Sequence, residues 1–288
     1  MKRFLLSLFI LCFCFLSFSF AKAGASEPQL IKKWETKPDL KVSESVLYDE
    51  SRDILYVSCI NGMPTEKNGK GFIAKVTLKG EIKVLKWVTS LNAPKGMGIS
   101  KERLFVTDID RVVEIDIKSG KILNQYPVRG AKFLNDITVD GSGNIYVSDS
   151  SAKNSAIYKI SKGKISEWLR TNEIIQPNGL YVEGDRLLVG SFKHGTLLAI
   201  NLSDKKITTI ANASTGIDGV KPDGKGNYIV SDWKGKTLFI TKSGKVSILL
   251  DTTDAKINSA DIEFIKSKNL LLIPTFFDNR VSAYELKY

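Results

Sequence analysis

The chain has 288 residues, 43% of them hydrophobic, which is ample for a real core in one large domain or two small ones. Its formal charge is +11, yet the lysines stand one or two at a time with no basic block. That pattern describes a solvated surface and gives no footprint for nucleic acid.

Residues 1–23 read as an export signal. Lys2-Arg3 is a basic start, Phe4 to Phe20 is an unbroken run of apolar and small residues, and Ala21-Lys22-Ala23 supplies a cleavage site ahead of Gly24. The Ala-x-Ala ending and the polar stretch after it favour cleavage over a retained membrane anchor. A periplasmic or secreted protein of residues 24–288 is therefore expected, with no stable membrane anchor. Losing Lys2, Arg3 and Lys22 leaves it at +8 (11 − 3). Cys12 and Cys14 leave too, so Cys59 alone remains and no internal disulfide is possible; in Leu55-Tyr-Val-Ser-Cys-Ile it reads as a small strand residue.

From Gln29 onward short runs rich in Val, Ile, Tyr and Phe alternate with Gly, Asn, Asp and Ser turns, and no helical period persists. Six copies of one unit are visible. Their phase residues are Glu44, Gly96, Asn135, Asn178, Asp218 and Asp261, spaced 39, 43, 40 and 43 apart from Gly96 onward. A period near forty in an all-β chain predicts four-stranded propeller blades, hence a six-bladed β-propeller. The second strand recurs as Leu104-Phe-Val-Thr-Asp, Ile145-Tyr-Val-Ser-Asp and Tyr228-Ile-Val-Ser-Asp. The last copy lacks a fourth strand, while Gln29 to Thr36 supplies a spare one ahead of the first. The N-terminal strand is thus expected to join the last blade and close the ring, which pairs an otherwise open edge. The longer interval before Gly96 holds a Gly- and Lys-rich insertion at 62–71.

Equivalent residues at the entry to each innermost strand face a common axis. Glu44, Asn135, Asn178, Asp218 and Asp261 would then ring the channel with carboxylate and amide oxygens, without thiol or imidazole. Oxygen-only ligation suits a hard cation such as Ca²⁺, which takes six to eight oxygens at about 2.3–2.6 Å. Asn178-Gly179 and Asp218-Gly219 are also ordinary turn dipeptides; recurrence at one phase is what favours a polar site. Asp261 would be an additional channel ligand or a brace for its own loop, and Gly96 leaves a gap. The aspartates that end the second strands, Asp108, Asp149 and Asp232, read as turn formers. Trp233 and Phe276-Phe277 would rim the channel mouth or pack between blades. His194, in Phe192-Lys-His-Gly195, reads as a turn residue. There is no Gly-x-Ser-x-Gly elbow, phosphate loop, histidine cluster or cysteine pair.

The order Glu44, Leu-Asn135-Asp, Pro-Asn178-Gly-Leu, Asp218-Gly, each opening a blade, resembles the senescence-marker-protein/gluconolactonase family and, more distantly, the paraoxonases. The resemblance implies a divalent metal, often calcium, on Glu44, Asn178 and Asp218, with Asn135 contacting substrate. It implies hydrolysis of a small-molecule lactone or ester, with Asp218 as the catalytic carboxylate that helps deprotonate water. Phe133 stands where gluconolactonase-type members carry an arginine, so the resemblance does not extend to the residue tied to sugar-lactone specificity. The alternative is a non-enzymatic propeller in which the metal is structural and a face binds a small ligand or protein partner.

Overall fold

The computed structural model describes residues 27–213 and 215–288; the expected export signal lies outside the described residues. The chain forms six antiparallel four-stranded sheets, and a single 3-10 turn, Lys266–Lys268, is the one helical segment among them. Five sheets are four consecutive strands each. Their innermost strands are Ser43–Asp49, Pro94–Ser100, Leu134–Val139, Pro177–Glu183 and Val220–Pro222. The sixth sheet runs Glu263–Ile265, Leu270–Pro274, Val281–Lys287 and then Gln29–Glu35. This is a six-bladed β-propeller, closed as the sequence predicted: Gln29 faces Lys287 and Glu35 faces Ser282.

Alternation explains why the blades stack. In Ile54–Cys59 every residue is buried, but odd and even positions face opposite ways. Leu55 and Val57 pack toward the sixth blade with Leu272 and Ala283, whereas Ile54 and Tyr56 pack toward the second with Leu104 and Val106. The core is accordingly six wedges between blades rather than one centre. Outermost strands such as Ile122–Pro127 are mostly exposed, and polar or charged residues dominate Gln29–Glu35. Charged edges of this kind resist sheet-to-sheet aggregation.

Hydroxyls stitch neighbouring blades near the axis. Ser148 Oγ accepts from Asp136 N at 2.9 Å within its blade and donates to Asn178 O at 2.9 Å in the next. Ser231 Oγ repeats the pattern, accepting from Gly219 N (2.8 Å) and donating to Ala260 O (2.6 Å). Thr107 Oγ1 donates across to Asn135 O at 2.5 Å. In the fourth blade Gly190 takes this place, because a Cβ there would lie 2.4 Å from Ile217 Cγ2.

Closure by Gln29–Glu35 seats Trp34 against the sixth-to-first wedge and Leu30 against the fifth-to-sixth wedge. Deleting residues 27–35 should remove about 3–6 kcal/mol of burial. The melting temperature is then expected to fall by roughly 10 °C or more, with aggregation through the bared edge of Val281–Lys287. A truncated chain that melts like the full one would refute closure by this strand.

Candidate functional site

The site is made by one irregularity repeated in register. In each of the first four blades the innermost strand slips against its neighbour at its start, between Ser43 and Ser45, Pro94 and Met97, Leu134 and Ile137, and Pro177 and Leu180. Such bulges re-aim a side chain out of the pleat. The slipped residues include Glu44, Lys95, Asn135 and Asn178. Asp218 and Asp261 hold the matching place before the short innermost strands of the last two blades.

That register corrects the sequence reading in the second blade. Pro94 pairs with Asp108 as Leu134 pairs with Asp149 and Pro177 with Ser191, so Lys95 is the counterpart of Asn135 and Asn178. Gly96 is one residue out of phase, and the spacing from Lys95 becomes 40, 43, 40 and 43. Gly96 instead permits close approach, since a Cβ there would stand 2.4 Å from Asp136 Oδ1. The expected gap in the ring is filled by a buried ammonium.

Glu44, Lys95, Asn135, Asn178 and Asp218 line one cavity of about 520 Å³ at the channel mouth. All five are at least 95% buried. Asn178 Nδ2 donates to Asp218 Oδ1 at 3.0 Å, which fixes the amide and leaves Asn178 Oδ1 without a donor. Glu44 Oε2 is likewise buried and unpartnered. Lys95 Nζ donates to Pro64 O (3.0 Å) and Ala93 O (3.1 Å) and sits 4.6 Å from the centre of the Phe133 ring. Pro64 belongs to the insertion expected at 62–71; the observed loop between Ile54–Cys59 and Gly71–Val76 spans 60–70, and its Pro64 and Thr65 line the cavity. Much of the wall is apolar, from Ile60, Phe133, Phe192, Trp233 and Phe276, with Lys132, Ser150, Ser151 and Gln176 also lining it. Trp233 both lines it and packs edge-on against Phe276 and Phe277, at 5.4 and 6.0 Å.

Asp261 is not among the lining residues. Its Oδ2 accepts from Ser45 Oγ at 2.5 Å and its backbone N–H donates to Glu44 O at 2.9 Å, so it braces the sixth blade against the first. Its Oδ1 remains unpartnered. Sequence reasoning missed the second buried set near it. Asp136 accepts from Leu180 N and Ile137 N, both at 2.6 Å, and Lys221 Nζ lies 3.7 Å from Glu263 Oε2. The visible signal was adjacency, because Asp136 directly follows a phase residue and Lys95 directly precedes the glycine taken for one.

Burial dominates the electrostatics. It raises the Glu44 carboxyl well above the usual range, Asp218 adds to the rise, and Lys95 opposes it. Burial, then repulsion from Asp261, raises Asp218 against the Asn178 hydrogen bond. Asp136 is raised by burial and by Asp261. Burial pushes Asp261 up to about 6 against the pull of Lys221, and pushes Lys95 down to about 8 against Glu44 and Asp108.

The other sequence-selected groups are structural. Asp108 accepts from Ala93 N and Arg111 Nε, Asp149 from Phe133 N and Ser151 N, and Asp232 from Thr215 Oγ1 and Lys234 N. His194 is exposed in its turn, and Cys59 is buried and free. Among the described residues no three His, Cys, Asp or Glu side chains group as metal ligands, and no helix is long and apolar enough to cross a membrane. The mouth set carries two carboxylates, Glu44 and Asp218, and two side-chain amides, Asn135 and Asn178.

No family model matches the chain, and no curated protein matches it. Solved structures do. Catalytically inactive virginiamycin B lyase from Staphylococcus aureus with quinupristin is similar at a TM-score of 0.63 and 16% identity, covering 91% of this chain and 100% of that one. A nidogen/laminin complex is similar at 0.60 and 18% identity, covering 71% of this chain and 77% of that one. At such identities the likeness is one of fold, the six-bladed propeller.

The raised Asp261 carboxyl fixes the sign of one pH effect. A carboxyl whose folded-state value lies above its unfolded value binds more protons when folded, so its stability cost grows as pH rises. Asp261→Asn keeps an oxygen for Ser45 and removes that cost. In chelator the variant should melt above wild type at pH 8, with the gap closing as pH falls through 6 towards 4. A gap independent of pH would contradict the assignment.

Proposed function

We propose that this propeller is a divalent-metal-dependent hydrolase of lactones or esters, exported, and similar in mechanism to the senescence-marker-protein/gluconolactonase group. The observation that carries the reading is the pair of buried acceptors without donors, Glu44 Oε2 and Asn178 Oδ1, in the same cavity as Asp218. Buried polar atoms left unpaired cost about 1–3 kcal/mol each, and more when charged. A hard cation such as calcium satisfies both at once, and Glu44, Asn178 and Asp218 would hold it. When bound, it supplies Lewis-acid polarisation of a carbonyl and stabilises developing oxyanion charge.

The remaining chemistry belongs to the chain. Asn178 fixes the Asp218 carboxylate, and burial, which raises the basicity of that carboxylate, favours its taking a proton from water. Asn135 lines the cavity with no side-chain hydrogen bond to the described residues, so its amide is available to orient a substrate oxygen. Phe133, Phe192, Trp233 and Phe276 exclude water from an apolar body. A second reading, a non-enzymatic propeller in which the ion is structural, is favoured by Lys95, an internal cation that already offsets part of the acidic charge.

Calcium at about one hundred times its dissociation constant should stabilise the protein by roughly 2.7 kcal/mol, read as a raised melting temperature. Glu44→Gln should abolish that shift. In a panel of lactones and aryl esters, Asp218→Asn should cut turnover by about a hundredfold or more. No shift with any divalent ion would sink the metal site, whereas a shift without turnover of any substrate would favour the second reading.

A further inference from the structure

The buried lysine asks for an explanation that the metal site does not give. A lysine 1% exposed is rare, and two of the three N–H bonds of Lys95 are spent on Pro64 O and Ala93 O. One N–H remains on a residue that lines the cavity. Across the same cavity Ile60, Phe133, Phe192, Trp233 and Phe276 offer almost no polar atoms. A ligand complementary to this arrangement has a compact anionic oxygen end and an apolar or aromatic body.

We infer that Lys95 is the specificity-determining residue of the cavity, pairing with the carboxylate of an apolar carboxylic acid. The inference rests on the hydrolase reading in one respect: cleaving a lactone or ester leaves such a carboxylate, so Lys95 would hold the acid product. The charges are compatible. Among the charged residues lining the cavity, Glu44 and Asp218 contribute two negative charges and Lys95 and Lys132 two positive, so a divalent ion leaves the set net positive and an acid offsets part of that charge.

A merely structural role is the competitor, because Lys95 also ties the 60–70 loop to the second blade through Pro64 O. The two roles separate in a ratio. The probes are 4-phenylbutyrate and its neutral amide, which share a body and differ in charge, titrated calorimetrically in calcium buffer against wild type, Lys95→Met and Lys95→Arg. Wild type should bind the acid about tenfold or more tighter than the amide, and Lys95→Met should erase that preference while Lys95→Arg retains most of it. Loosening the loop would weaken both probes together and leave the ratio unchanged. Equal binding of acid and amide by wild type, or a preference that survives in Lys95→Met, overturns the inference. Failure of the metal reading shows separately, as the absence of a calcium-induced melting shift, and the acid-to-amide ratio still reports on Lys95.

Discussion

In four of the six blades a hydroxyl one residue from the end of the second strand bonds the entry or innermost strand of its own blade, of the following blade, or both, and the alignment of the ring depends on these bonds. Four-stranded sheets packed face to face would slide on their apolar wedges, since hydrophobic burial is non-directional. Ser148 joins two innermost strands, Ser231 joins the segments that lead into two, and Thr107 reaches across to the carbonyl of Asn135. These bonds are buried, so breaking one strands a polar group away from water at about 1–3 kcal/mol. They also fix the height of each bulge along the axis, which is why side chains from five blades meet in one cavity.

Charge is the second constraint. Glu44, Asp136, Asp218 and Asp261 sit inside the propeller, and among the described residues Lys95 and Lys221 are the internal cations acting on them. The imbalance is distributed by depth. Asp136 and Asp261 have Lys221 as counter-charge, while Glu44 and Asp218 share the mouth with Lys95 and keep an unpaired acceptor between them and Asn178. What sets the mouth apart is that its unpaired acceptors belong to residues lining a cavity, where a ligand or ion can reach them, whereas Asp261 is not among the lining residues.

Most of the fold was legible in the sequence because both of its signals are periodic. Alternation gave the strands, the forty-residue repeat gave the blades, and the spare strand before Ser43 matched the strand missing after Val281–Lys287. The site was legible in part. Glu44, Asn135, Asn178 and Asp218 line the cavity as a shared phase predicted, but a bulge adds a residue that pattern counting cannot see. Gly96-Met-Gly-Ile looked like Asn178-Gly-Leu with its polar residue lost, when the polar residue was Lys95, one place earlier. Asp261 was in phase yet turned away to Ser45, a choice made by a tertiary contact with no local trace. At 16–18% identity to solved propellers, pairwise likeness could not supply these details either.

The 60–70 loop has a consequence of another kind. It lies outside the blade framework, and no hydroxyl between neighbouring blades depends on it, so its length and composition are free to drift. Yet its Pro64 carbonyl holds the ammonium of Lys95, and Pro64 and Thr65 form part of the cavity wall. Variation in this surface segment therefore moves a buried charge, and a scaffold with a rigid interior acquires an adjustable selectivity from its periphery.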